Sequence, residues 1–158
     1  MILDQQVVIP APVDRVWDFL MDLPAVSRCV PGVESIERID DDTYSGALKV
    51  RVGPIGVTLN GKVLVVERDR EGLRSRMDVQ AAEKRLNSAV SAHATMTLVA
   101  RSATETEVNI HTESSILGKL GEFGQAVMRK KADQIIAEFA RNMAKELTAG
   151  QARELTSI

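Results

Sequence analysis

The stretch LGKLGEFGQAVMRKKADQIIAEFARNMAKEL, Leu117–Leu147, is the clearest helical segment of the chain and decides its fold. Apolar residues recur in it at helical spacing, so that they form one broad stripe along one side of the predicted helix. The stripe comprises Gly121, Met128, Ala132, Ile135, Ile136, Phe139 and Met143. A long helix with one apolar face needs a second apolar surface to cover that face.

The predicted helix opens with three glycines, Gly118, Gly121 and Gly124. Each glycine inside a helix costs about 1 kcal/mol relative to alanine, so their presence needs a reason. Either they let the helix backbone pack closely against a strand, or they form the roof of a cavity. A cavity predicts that Gly121→Leu keeps its stability and loses ligand binding. Close packing predicts that the same leucine overpacks the core and costs roughly 1–3 kcal/mol.

The segment before this helix alternates between apolar and polar residues, which predicts antiparallel strands with one face on a core and the other in water. The strands are predicted within residues 43–52, 57–69, 72–80, 89–100 and 106–114. Residues 5–11 predict an earlier strand, and Val13–Met21 predict a short helix that ends before Pro24. A helical turn or loop follows and ends at Pro31 and Gly32. The order predicts an α+β fold in which a curved antiparallel sheet wraps around the long C-terminal helix.

Length and composition narrow the class of protein. The 158 residues predict a single domain, residues 1–150, followed by a short C-terminal tail, residues 151–158. A net charge of -2 and an aromatic content of 3% argue against a nucleic-acid partner. The single cysteine, Cys29, excludes a disulfide framework and is typical of a reducing compartment. Without a long apolar run or a secretory signal, we expect a cytoplasmic protein.

The inward positions of the predicted sheet are small or flexible, and few aromatic residues are available to fill the space beneath the helix. This favours an apolar cavity that holds a hydrophobic small molecule, with no cofactor and no metal. The predicted ligand-binding residues are Leu20, Val30, Tyr44, Leu48, Val50, Leu59, Met77, Met96, Thr112, Gly121, Gly124 and Met128. Tyr44 or Thr112 is expected to meet a ligand oxygen. Leu120, Phe123 and Val127 form a smaller strip that lies either under the loop at residues 24–32 or at the mouth of the pocket.

Three segments together carry a family resemblance: CVPGVESIERIDDDTYSGALKVRVGPI, GKVLVVERD and LGKLGEFGQ with the helix that follows. They resemble the CoxG family of carbon monoxide dehydrogenase subunits, within the START / birch-pollen-allergen-like (SRPBCC, helix-grip) superfamily. The resemblance covers about residues 5–147. It implies the helix-grip fold with an internal apolar cavity.

The resemblance also implies a function. It indicates a non-catalytic accessory protein of a molybdenum hydroxylase of the carbon monoxide dehydrogenase type, which handles a quinone or lipid and aids recruitment of the enzyme at the membrane. Many members continue into a proline-rich tail with an apolar end. This chain stops at Ile158, so we expect an anchor to be absent or supplied elsewhere, with peripheral contact at the inner face of the membrane.

Other candidate sites are interpreted as structural. His93 and His111 are predicted to face outward, opposite each other on neighbouring strands, as a solvated pair and not as a metal site. Cys29 is interpreted as a small buried apolar residue, and Asp40–Asp42 as a hairpin turn that lacks the ligand spacing of a calcium loop. Arg129–Lys131 form a solvated helix face that could also meet anionic lipid or an acidic partner.

Two other functions stay open on the sequence. The superfamily also contains cyclases and dehydratases, and such an enzyme would need an acid or base inside the cavity. An interaction module would instead dock through the outer face of the sheet, where Leu64 and Val66 are predicted to point away from the core.

Overall fold

The structure, a computed structural model, describes the backbone of residues 1–156 and the side chains of residues 1–149. Seven strands and three α-helices are described. The strands are β1 (Ile2–Ile9), β2 (Val33–Arg38), β3 (Thr43–Val52), β4 (Ile55–Asp69), β5 (Arg74–Glu83), β6 (Ser88–Ser102) and β7 (Glu105–Leu117). The helices are α1 (Val13–Met21), α2 (Leu23–Cys29) and α3 (Gln125–Thr156), and a 3-10 helix (Lys119–Phe123) precedes α3.

All seven strands belong to one antiparallel sheet with the order β1-β7-β6-β5-β4-β3-β2. Helix α3 contacts β1, helix α2 and β3. Strand β1 is one edge of the sheet, and β3 lies next to the other edge. The sheet therefore curves around the helix, and the prediction of a curved antiparallel sheet with a long C-terminal helix is confirmed.

Helix α3 is held near its start and in its middle by polar contacts. Near its start, the Arg129 guanidinium donates to the Ile2 carbonyl oxygen at 3.0 Å, and the Gln5 amide donates to Asp133 at 3.1 Å. Farther along, the Asn142 amide donates to the Cys29 carbonyl oxygen at 2.9 Å. These contacts fix α3 along β1 and against the end of α2.

The three glycines lie before the long helix and not inside it, so the prediction that α3 begins near Leu117 is wrong. Gly118 and Gly124 flank the 3-10 helix with φ of 84° and 88° and ψ of -162° and 160°. This backbone region is essentially restricted to glycine. The three glycines, spaced three residues apart, resemble the stripe of an α-helix because a 3-10 helix also repeats about every three residues.

Close packing, and not open space, explains Gly118 and Gly121. A Cβ at Gly118 would collide with the Asn87 carbonyl oxygen and lie 2.9 Å from the Ser88 Cα. A Cβ at Gly121 would lie 2.8 Å from the Ile116 carbonyl oxygen. The expectation that Gly121→Leu keeps its stability is therefore wrong, because the new Cβ would lie closer to the Ile116 carbonyl oxygen than van der Waals contact allows.

Gly46 and Gly61 face each other across β3 and β4, and they too mark close approach. A Cβ at Gly61 would lie 2.8 Å from the Ala81 Cβ, and one at Gly46 would lie 2.5 Å from the Ser35 carbonyl oxygen. These glycines let neighbouring strands coil tightly, which gives the sheet its curvature.

Helix α3 continues through residues 151–156, the first part of the segment predicted as a separate tail. Residues 157–158 lie outside the described residues. No helix of the described chain is both long enough and apolar enough to cross a membrane.

Candidate functional site

The inner face of the sheet is defined by the strand register. Thr112 lies opposite Ala94, and Ala94 lies opposite Met77, on three adjacent strands. The next inward row pairs Ala92 with Val79. We call these five residues the inner band. They lie on β5, β6 and β7, which are inner strands of the sheet.

Buried clusters close the two ends of the inner face. The first, at the end that carries α1, joins both short helices to the second half of α3. Its fully or nearly fully buried members include Ile9, Val16, Trp17, Leu20, Cys29, Leu98, Val108, Phe139 and Met143. The second, at the end that carries the 3-10 helix, comprises Val52, Val57 and Leu120, with Val50, Leu59, Phe123 and Met128 packed against it. Both ends therefore have a well-packed core.

The inner band is less buried than either end, although it faces the helix. All five of its residues are half-buried, and so are Ala132 and Ile135 of α3. Ala92 and Ala94 of β6 therefore keep accessible apolar surface. An apolar surface between two packed ends is the kind of place that an apolar small molecule can occupy.

The predicted ligand-binding residues divide between the band and its ends. Met77 and Thr112 belong to the inner band. Leu20 is buried in the cluster at the α1 end, and Val30 and Met96 pack against that cluster. Val50, Leu59 and Met128 pack on the opposite cluster, and Leu48 is half-buried on β3 beside them. Tyr44 is buried against Leu23 and Val65 in a third, smaller cluster.

The three predicted mouth residues have different surroundings. Leu120 is 1% exposed, so it closes one end of the core and does not stand at an opening. Its backbone N–H donates to the Ser88 hydroxyl at 2.9 Å. Phe123 is half-buried beside Gly53 of the β3–β4 turn, whereas Val127 is 41% exposed on the first turn of α3.

Glu83 is the one carboxylate at an inward register position of strands β3–β7, and it is held at the end of β5. Its carboxylate accepts hydrogen bonds from the backbone N–H of Thr58 at 2.7 Å and of Arg85 at 3.0 Å. These bonds, the Thr58 bond first, lower the pKa of Glu83. The carboxylate therefore fastens strand β4 to the β5–β6 turn and is poorly placed to act as a general base.

Both histidines face outward and are exposed, as predicted. They are not directly opposite each other, because His93 pairs with Glu113 and His111 pairs with Thr95 across β6 and β7. His93 Nδ1 lies 2.6 Å from Asp78, and His111 Nδ1 lies 2.6 Å from Asp4. The bond to Asp4 raises the pKa of His111. The described residues contain no group of three or more side chains suited to a metal ion.

Two buried residues complete the description of the core. Cys29 is 1% exposed, and burial raises the pKa of its thiol, which fits a small core residue. Ser75 is also buried, and its hydroxyl is the one buried side-chain polar atom without a partner in the described part of the chain. The alternation of β5 places Ser75 on the inner face, two residues before Met77. The sequence does not predict that its hydroxyl is buried without a hydrogen-bond partner.

The outer face of the sheet carries an open trough of about 850 Å³. Leu64 and Leu117, both exposed, stand in its lining among small residues of β5, β6 and β7. Val66 is exposed as well, so the outward positions of Leu64 and Val66 agree with the sequence.

Known proteins resemble the chain at two levels. A family model that describes CoxG, a carbon monoxide dehydrogenase subunit, matches residues 6–148. No curated protein matches the chain significantly. Among solved structures, a conserved protein from Geobacillus kaustophilus shares 20% identity with a TM-score of 0.86, over 94% of this chain and 96% of that one.

Two further structures extend the likeness. A START superfamily protein from Mycobacterium smegmatis has 8% identity and a TM-score of 0.66, over 94% of this chain and 97% of that one. A norcoclaurine synthase point mutant from Thalictrum flavum has 15% identity and a TM-score of 0.68, over 96% of each chain. At these identities the likeness shows a shared START-like fold and nothing about activity.

Proposed function

The chain belongs to the CoxG family of carbon monoxide dehydrogenase subunits, and we propose that it binds a lipophilic small molecule, a quinone or a lipid, as a non-catalytic accessory protein. The partner we propose is a molybdenum hydroxylase of the carbon monoxide dehydrogenase type. The protein would aid coupling of that enzyme to the membrane, or its recruitment there, from the cytoplasmic side.

The observation that carries this proposal is the half-burial of the inner band between two packed ends. A protein without a ligand would gain stability by filling such a band with larger side chains, at about 25 cal/mol per Å² of apolar surface removed from water. Here the positions carry alanine twice, at Ala92 and Ala94. A lipophilic ligand would bury the same surface and gain the same free energy.

The residues around the band support binding more than catalysis. Its side chains are alanine, valine, methionine and threonine, and the nearest inward carboxylate, Glu83, is engaged by two backbone N–H groups. An enzyme of the cyclase or dehydratase kind would need an acid or base free to act within the band.

The test is to fill the band and to measure binding. We expect Ala94→Phe to weaken binding of decylubiquinone at least about tenfold, followed by fluorescence quenching of the single tryptophan, Trp17. The melting temperature should change by no more than about 4 °C, because a phenylalanine in an unfilled space makes new apolar contacts. Ala94→Leu serves as a second variant with a smaller side chain.

Ala89→Phe is the matched control, because Ala89 lies on the same strand but faces outward and is exposed. It should bind the quinone as the parent does. A parent protein that binds no quinone or phospholipid, or an Ala94→Phe variant that binds normally, would refute the proposal. A large loss of stability in both Ala94 variants would show that the band is already filled.

A further inference from the structure

Arginines and lysines of the described chain differ in their ion pairing, because its ion pairs use arginine or histidine and not lysine. At the end with α1 and the β4–β5 turn, arginines pair with carboxylates, as in Arg70 with Asp18 at 2.6 Å and Arg68 with Asp42 at 2.5 Å. At the opposite end, Lys49, Lys84 and Lys119 form no ion pair with any other residue of the described chain. The other lysines of the described chain form no ion pair either, so what distinguishes Lys49 and Lys84 is their position on one concavity.

Two of these lysines line one concavity of about 540 Å³. Lys49 of β3 lies directly opposite Thr58 of β4 in the register, and Lys84 and Arg85 come from the β5–β6 turn. The remaining lining residues are Gly56, Asn60 and Glu83. Three cations thus share the concavity with one carboxylate.

That carboxylate does not neutralise the concavity. The Glu83 side chain is only 6% exposed, and its two oxygens already accept from the Thr58 and Arg85 backbone N–H groups. The Arg85 guanidinium is oriented by donating to the Gly56 carbonyl oxygen at 3.0 Å, and its Nε lies 3.7 Å from Glu83. Three cations against the single Glu83 carboxylate leave the concavity with an excess of two positive charges.

We propose that this concavity, which we call the basic pocket, binds a phosphate group. A phosphate monoester carries about 1.5 to 2 negative charges at neutral pH, which matches the excess charge of the pocket. Arginine recognises its oxygens by directed hydrogen bonds and lysine by charge, and the Thr58 and Asn60 side chains offer further donors. The proposal is independent of the lipophilic ligand, because Lys49, Thr58 and Asn60 lie on the outer face of the sheet.

A phosphate group could belong to a free small molecule or to a lipid headgroup, and the experiment separates the two. Inorganic phosphate is titrated into the full chain, and the backbone amides of Thr58 and Lys84 are followed by NMR. In parallel, flotation is measured with vesicles of phosphatidylcholine alone and with phosphatidic acid added, because the headgroup of phosphatidic acid is a phosphate monoester. The test variant is Lys49→Gln/Lys84→Gln, and the control is Lys62→Gln, an exposed lysine of β4 outside the pocket.

We expect the double variant to weaken binding at least about tenfold and the control to leave it unchanged. Saturable binding of inorganic phosphate supports a site for a free phosphorylated molecule. Binding only to vesicles with phosphatidic acid, with the same dependence on Lys49 and Lys84, supports a headgroup site. Binding of neither probe, or equal weakening in the control, overturns the proposal.

Discussion

Alanine substitutions at Gly118 and Gly124 should separate backbone strain from close packing. Both residues have nearly the same backbone conformation, with φ of 84° and 88°. Their surroundings differ, because a Cβ at Gly124 would meet nothing within 4 Å, whereas one at Gly118 would collide with the Asn87 carbonyl oxygen. The pair is therefore a controlled comparison within one short segment.

The expected losses of folding stability follow from backbone strain and from close packing. Gly124→Ala places an alanine in a region essentially restricted to glycine, which costs about 1–3 kcal/mol. Gly118→Ala carries the same strain and must also displace the backbone at Asn87 and Ser88, which adds about 1–3 kcal/mol as overpacking does. Gly121→Leu has no left-handed strain but meets the Ile116 carbonyl oxygen, and we expect it to cost about 1–3 kcal/mol as well.

Thermal unfolding followed by circular dichroism measures the comparison. In a domain of this size, 1 kcal/mol shifts the melting temperature by about 2–4 °C. Gly118→Ala should therefore melt at least about 2 °C below Gly124→Ala, and both should melt below the parent. Equal melting of the two variants would refute the role of the Asn87 contact, and a Gly124→Ala variant as stable as the parent would refute the role of strain.

Three further predictions concern single side chains. Ser75→Ala should leave stability unchanged or raise it by up to about 1 kcal/mol in urea unfolding, because the buried hydroxyl has no partner; a clear loss would reveal a partner such as a bound ligand. Asp4→Asn should lower the pKa of His111 in an NMR titration, because the bond to Asp4 raises it. In the parent protein, the raised pKa of His111 means that this histidine stabilises the fold fully below its ordinary pKa of 6.5. That stabilisation is lost as pH rises through the raised value. Glu83→Gln should reduce the loss of stability on acidification. The lowered pKa of Glu83 stabilises the fold above about pH 4.5, and that contribution is lost as pH falls through the lowered value. Acid unfolding that is the same in the variant and the parent would contradict this.

Local sequence patterns are enough to predict the sheet, the inward face of each main strand and the long helix. These features depend on periodicity, since alternation in a strand and a repeat of 3.6 in a helix place side chains on fixed sides. The inward positions of Met77, Ala94 and Thr112 follow from this alternation, and the three residues lie side by side in the sheet. The resemblance to CoxG likewise rests on short segments that are recognisable without any tertiary contact.

The sequence does not predict strand β2, because its residues are mostly exposed and do not alternate. Val33–Arg38 pair with β3 alone at the edge of the sheet. An edge strand with little burial has no hydrophobic pattern, so β2 is defined only by its backbone hydrogen bonds with β3.

Contacts between distant parts of the chain set where α3 begins and which inward residues remain accessible. Gly118 has no room for a side chain because a Cβ there would collide with the backbone of Asn87 and Ser88, which are far from it in sequence. The inner band is less buried than the packed ends, and the polar contacts of α3 with β1 and α2 that position the helix join residues 113 or more positions apart. The unpaired lysines of the basic pocket come together for the same kind of reason, since register and not sequence spacing brings Lys49 beside the β5–β6 turn.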